Sequence, residues 1–323
     1  MAEARPKKKI KPMAIFSRYS TILIFIVFVI ISSIISSSFL SWGNITNLMK
    51  QNAALAIYSF GMLMVIMTGG IDLSVGAVVT LSNVLFAYQL AAGHNLAFSI
   101  ASSLIAGCIA GAVSGYIVSY QKVAPFVTTL AMMQITRGVA YIICSGKSIQ
   151  IQSDSYKLFS RLYVFGFPTQ FIIMIVVFII VALVFKYTTY GRLVLAIGSN
   201  EEAVRLSGIR TNIYRMSVYI ISGFLAALAG MIVAGRTGVG SPLVGDGYEN
   251  DAIASCVIAG ASLAGGKGSV VNTLFGAFTL GLISNIMNLM KVPAYPQIVV
   301  KGVIILIAVL ISAISDRSKA TNT

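Results

Sequence analysis

The sequence predicts an all-α polytopic membrane protein with about ten transmembrane helices, and three observations carry that prediction. Of its 323 residues, 57% are hydrophobic and only 10% are charged, against about 25% charged in soluble domains. Apolar runs near the ~20 residues that a helix needs to cross a hydrocarbon core recur from end to end. Strand-like alternation is absent, and lipid tolerates only helices or closed barrels, because every backbone polar group must be satisfied internally. The formal charge of +14 does not point to nucleic acid, because Arg5, Lys7, Lys8, Lys9, Lys11 and Arg18 cluster ahead of the first apolar run. Such a basic flank predicts a cytoplasmic N-terminus.

The expected organisation is a basic cytoplasmic tail over 1–18, a membrane domain over 19–315 and a cytoplasmic tail over 316–323. The first span, 19–39, is too long for a signal-peptide core and lacks a small-residue cleavage site, so it reads as a retained helix. Span 51–68 ends at the paired glycines Gly69 and Gly70, and span 73–91 begins after Asp72. A short loop holding His94, the sole histidine, leads into span 96–119; one histidine cannot build a metal site by itself. Gly111 and Gly115 give that span a GxxxG pattern, which lets helix backbones approach closely. Spans follow at 125–143, 171–187, 214–235, 250–264, 270–290 and 297–315, with a polar loop over 188–213. Ten spans place both termini on one side. With Lys122, Lys186, Arg192, Arg205, Arg210, Arg215, Lys267, Arg317 and Lys319, that side collects fifteen of the 23 basic residues, as the positive-inside rule demands. The long loop 145–170 on the opposite side carries only Lys147, Lys157 and Arg161. Cys108, Cys144 and Cys256 are isolated and read as small buried hydrophobes rather than redox or metal ligands.

Lys122-Val-Ala-Pro-Phe and Lys291-Val-Pro-Ala-Tyr each open a span that continues through a glutamine and a basic residue. The two run in opposite directions across the membrane, so either an inverted-topology repeat or a chance echo accounts for them. Arg137 and Lys301 fall inside spans, where a charge costs roughly 2.5–3.5 kcal/mol on insertion scales; each must snorkel, pair with a carboxylate or face water. Asp72, in TGGIDLSVG, reads either as a cap for the next helix or as a group lining a pathway. Glu249 and Asp251 fall at the start of span 250–264, where the helix dipole favours carboxylates. GGKGS at 265–269 is not a phosphate loop: glycine follows Lys267, and Ala261 stands where the first glycine belongs. The chain supplies no ATPase site of its own.

The sharpest element is the polar island 191–209, which holds two of the nine acidic residues side by side. Asn200 is placed to cap a short helix, Glu201 and Glu202 fall in its first turn, Arg205 lies four residues after Glu201, and Gly208 ends it. The segment is either a solvated loop or a docking element for a soluble partner.

Taken together, TGGIDLSVG (68–76), PFVTTL (125–130), GSNEEAVRLSGI (198–209), GYENDAIASCVIAGASLAGGKGS (247–269) and NLMKVPAYPQIVVKG (288–302) resemble the membrane permeases of bacterial ABC importers for monosaccharides. The resemblance spans most of the chain. It implies an inner-membrane location, a second permease copy, a cytoplasmic ABC ATPase that binds the ATP, a periplasmic sugar-binding protein and a monosaccharide substrate. It implies no resident cofactor. It also implies that Asn200, Glu201, Glu202, Arg205, Leu206 and Gly208 form the coupling helix that sits on the ATPase. Polar candidates for the translocation path are Asp72, Asn83, Gln134, Arg137, Asn285 and Asn288. Two alternatives stand beside this reading, an ion-coupled secondary transporter and a branched-chain amino-acid permease. An intramembrane metal- or histidine-dependent enzyme lacks the residues it would need.

Overall fold

The computed structural model describes residues 12–152, 156 and 162–320; the basic residues Arg5 to Lys11, and Lys157 and Arg161, lie outside the described residues. Eleven helices occur among them: α1 (Pro12–Ile35), α2 (Trp42–Met67), α3 (Val75–Ala91), α4 (Leu96–Tyr120), α5 (Pro125–Cys144), α6 (Thr169–Tyr187), α7 (Thr189–Leu206), α8 (Thr211–Thr237), α9 (Tyr248–Ile258), α10 (Val270–Leu289) and α11 (Ala294–Ala320). Five of them, α4, α5, α6, α8 and α10, are both long and apolar enough to cross a bilayer, and α1, α3 and α11 contain shorter apolar stretches. The protein is an all-α polytopic membrane bundle.

Burial sorts the helices into centre and periphery. α2 is buried without interruption from Asn52 to Met67, and α8 packs against α2, α3 and α4. α6 is apolar all round yet buries only Gln170, Met174 and Val181, the signature of a helix that faces lipid. The tightest crossing is α4 on α8, and glycines make it. A Cβ on Gly107 would overlap the Gly223 carbonyl, and one on Gly111 would overlap the Tyr219 carbonyl. The GxxxG pattern is therefore a packing device, as small residues are between helices in lipid.

Two rims close the bundle. The His94 rim holds two short ladders, β1 (Ile149–Gln150) with β4 (Val239–Gly240) and β2 (Tyr163–Val164) with β3 (Phe167–Pro168), and an Asn44–Asn285 pair. The opposite rim carries the α4–α5 turn at Lys122, the end of α2 and the whole of α7. Each of the two echoed turns is four residues long and places its lysine in the left-handed region, Lys122 at φ 56° and Lys291 at φ 57°. Because these turns sit on opposite rims, the backbone carries the echo noticed in the sequence.

Two expected spans differ. The second helix starts at Trp42 rather than 51, because Ser41 caps it and Asn44 is satisfied by Asn285 and the Phe39 carbonyl. More importantly, 250–264 is not a continuous helical span: the return crossing is broken, and it ends at the tip rim, where the Gly266 N–H donates to the Met67 carbonyl. After α8 the chain runs back into the bundle as irregular backbone alongside α3: the Ser241 N–H donates to Asn83 Oδ1 at 2.8 Å, and the Thr80 hydroxyl donates to the Val244 carbonyl. At left-handed Gly247 it starts α9, which has only 11 residues, about 16 Å of helix. Irregular backbone at membrane depth is tolerated where it packs against protein or lines a cavity, and here Ser241 and Val244 are tied to α3. Left-handed Gly260 and Gly265 then turn the chain toward α10.

Candidate coupling segment and translocation face

α7 follows α6 after a single residue, Thr188, whose hydroxyl accepts the Gly191 N–H. The helix is two helices end to end. Asn200 breaks it with an extended conformation (φ −162°, ψ 93°), and its side chain accepts the Ala203 N–H at 3.0 Å, capping a short tip over 201–206. Gly208, at φ 82°, turns the chain away. The tip projects from the rim. Leu206 is 77% exposed, flanked by an exposed Arg205 fork whose Nε and Nη2 donate to Glu202 at 3.0 and 2.6 Å. That fork holds the Glu202 carboxyl below its ordinary value.

The expected Arg205–Glu201 pair is corrected here: Arg205 takes Glu202 instead. Glu201 turns back toward the bundle, with Arg215 Nη2 at 2.9 Å, the Thr211 hydroxyl at 3.1 Å and Lys122 Nζ at 3.5 Å. Two cations and a hydroxyl from neighbouring turns satisfy Glu201 more fully than one exposed i,i+4 partner would. Adjacent carboxylates thus face opposite ways, one outward and one inward. Sequence spacing could suggest a helix here but not which of the two points inward, because Arg215 and Lys122 reach Glu201 only through tertiary packing.

The polar path candidates separate into two groups. Asp72, Asn83 and Asn285 are buried ties. Asp72 accepts from the Ser74 N–H (3.0 Å), the Ser74 hydroxyl (2.6 Å) and the Ser222 hydroxyl (2.9 Å). The expected cap is not formed: Ser74 is the N-cap residue of α3 and no side chain caps that helix, while the Asp72 carboxylate closes a local turn on the Ser74 N–H two residues on. Asn83 joins the Gly230 carbonyl of α8 to the Ser241 N–H, and Asn285 exchanges two hydrogen bonds with Asn44. Gln134 and Arg137 lie instead on α5, whose open face also shows Phe126, Val127, Leu130 and Ile135. Arg137 Nη1 pairs with Asp246 Oδ1 at 3.1 Å, and the aspartate side chain is 79% exposed. Asn288 accepts from Gln297 at 2.9 Å on the His94 rim. Lys301 pairs with Asp251 of α9 at 2.9 Å, which settles how that lysine is held in the membrane. Asp246 was missed in the sequence, since a carboxylate in a glycine-rich stretch reads as a surface loop until the re-entrant course of 239–247 is known.

The chain's comparisons agree with this architecture. Residues 44–309 match the family model described as branched-chain amino acid transport system / permease component. The chain is similar to the ribose import permease of Bacillus subtilis (strain 168), 40% identical over 316 residues that cover 97% of each chain. It is also similar to the ribose import permease of Escherichia coli (strain K12), 39% identical over 90% of this chain and 92% of the relative. The L-arabinose transport system permease of the same organism is 34% identical, over 98% and 96%. No solved structure matches. With a family model spanning most of its length and relatives matched nearly end to end, the chain belongs to the family of transport-system permease components.

Proposed function

We propose that this chain is the membrane-spanning subunit of an ATP-driven importer for a monosaccharide, working as one of two permease copies in the inner membrane. Its partners are a cytoplasmic ABC ATPase and a periplasmic sugar-binding protein. The observation that carries the coupling role is the projecting tip 201–206, a capped, charged helix bearing an exposed Leu206. A short amphipathic knob of this kind suits a groove on a soluble partner, with the leucine as the apolar anchor and the Arg205–Glu202 fork at its rim. The relatives' names, ribose and L-arabinose permeases, support the substrate class. The rim that bears the tip is then cytoplasmic, with both termini on that side, in keeping with the excess of basic residues there.

Transport on this reading is alternating access. A loaded binding protein docks on the His94 rim and releases sugar between the two permeases, against the open face of α5. Gln134 and the Arg137–Asp246 pair supply donors and acceptors for sugar hydroxyls along an otherwise apolar wall. Asp72, Asn83 and Asn285 hold the frame rather than the sugar, because their hydrogen bonds are already made within the chain. ATP-driven closure of the ATPase pushes on the tip and turns the cavity inward. The nucleotide acts only through its differential effect on the two states.

The family description, which names branched-chain amino acids, favours a second reading in which the cargo is an amino acid. One experiment separates these readings. The chain is purified from its native membrane, its companions are identified by mass spectrometry, and the complex is reconstituted for uptake of labelled pentose and labelled leucine. A stoichiometric ATP-binding protein with ATP-dependent pentose uptake supports the proposal. Leucine uptake moves the cargo to amino acids, and uptake without ATP in the absence of a companion ATPase refutes the importer reading.

A further inference from the structure

We infer that Arg215 is the positioning residue that carries motion of the tip to the helix lining the path, by way of the break between α2 and α3. The inference rests on the coupling role proposed for 201–206 and goes beyond it by naming the route. Arg215 lies in the second turn of α8 and holds two groups at once. Its Nη2 is 2.9 Å from Glu201 Oε2 and donates to the Thr68 carbonyl at 3.3 Å. Thr68 ends α2. One terminal nitrogen of the guanidinium, which carries two N–H donors, therefore bridges the tip and the residue that ends the central helix.

The same face of α8 grips the break beyond Thr68. Arg215, Tyr219 and Ser222 follow at helical spacing. The Tyr219 hydroxyl lies so close to Gly70 that a Cβ there would sit 2.5 Å from it, and the Ser222 hydroxyl donates to Asp72 at 2.9 Å. α7 also touches the end of α2 directly: a Cβ on Gly198 would overlap the Met67 carbonyl, which accepts the Gly266 N–H at 3.0 Å. The break is therefore held from the α7 side and the α8 side together, and a shift of the tip cannot leave it where it was.

The route reaches α5 through Thr129, whose Oγ1 accepts the Leu73 N–H at 3.1 Å and bonds the Ile71 carbonyl at 3.1 Å. Thr129 is buried, two turns before Arg137 on the same helix. The chain of contacts runs from Glu201 through Arg215 and Thr68 into the 68–74 break, and from the break through Thr129 to the open face of α5. Every link is a hydrogen bond or ion pair between groups buried or half-buried at the contact, and such packed links switch between discrete arrangements rather than stretch.

The test uses the complete complex with its ATPase and loaded binding protein in lipid nanodiscs. It compares Arg215→Met, Arg215→Lys, Thr129→Val and the Arg215→Met/Thr129→Val double variant. The expected result is that the ATPase co-purifies with Arg215→Met at the wild-type ratio. Stimulation of ATP hydrolysis by loaded binding protein, and sugar uptake, fall by roughly 5–150-fold, the usual range of coupling between sites. Arg215→Lys retains an intermediate fraction, because an ammonium keeps the charge and its donors but ends a shorter side chain than the guanidinium. The double variant is no worse than the poorer single one, as links in series require. Loss of the ATPase from Arg215→Met would make Arg215 a docking contact and overturn the route, as would unchanged stimulation or multiplicative losses in the double variant. A wild-type chain that brings no ATPase overturns the importer proposal itself, and the route with it.

Discussion

Replacing Lys301 with methionine should destabilise the bundle out of proportion to the size of the change, because it strands a carboxylate inside it. Lys301 Nζ lies 2.9 Å from Asp251 Oδ2 and 3.3 Å from Oδ1, and the two side chains are 29% and 15% exposed. At an effective dielectric of about 20, unit charges at this separation attract by about 6 kcal/mol, most of which offsets the cost of taking both from water. Removing one partner keeps that desolvation cost for the other and loses the attraction, which costs about 3 kcal/mol, or roughly 150-fold in the folded-to-unfolded ratio. The pair also joins α11 to α9, the helix it packs on more than α10. The assay is reversible unfolding in mixed micelles as denaturing detergent is titrated in, for Lys301→Met, Asp251→Leu and both together. The double variant should recover to within about 1 kcal/mol of wild type, since a buried pair replaced by apolar groups is close to neutral. If the double variant loses as much as the sum of the single ones, the two charges are not coupled and the reasoning is wrong.

Two further outcomes follow from the packing and the charge of the tip. Gly223→Val puts a side chain where the Gly107 carbonyl already is, so α4 and α8 must separate; a loss of about 1–3 kcal/mol is expected, read as a lower melting temperature of the solubilised protein, and an unchanged one would show that the crossing is not tight. The Arg205 fork lowers the Glu202 carboxyl, so the pair's contribution is present above the unfolded value, about 4.3, and is lost as pH falls through the lower folded value. ATPase association through the tip should therefore be flat from neutral pH to about pH 5, and a midpoint between pH 6 and 7 in a binding titration would contradict this.

The fold class was legible in the chain because apolar runs of bilayer length are a one-dimensional property. So were the capping of the tip by Asn200, its end at Gly208 and the glycine stripe of α4, each of which depends on neighbours within a turn or two. The site was legible only in outline. Sequence spacing paired Arg205 with Glu201, whereas folding brought Arg215 to Glu201 from α8, which begins after the tip, and Lys122 from the α4–α5 turn, far earlier in the chain. Composition likewise made 250–264 a span, although 239–247 lies against α3 and leaves α9 half a membrane long. Asp72, Asn83 and Asn285 were recognised as costly polar groups, but the partners that decide their role are Ser222, Gly230 and Asn44, all distant in the chain. The sequence by itself thus determined that the chain is a helical membrane protein and where its tip starts and stops, since apolar run length and capping are local demands. The tertiary structure alone decided which charge meets which, because ion pairs and hydrogen bonds across helices depend on distances that no spacing along the chain encodes.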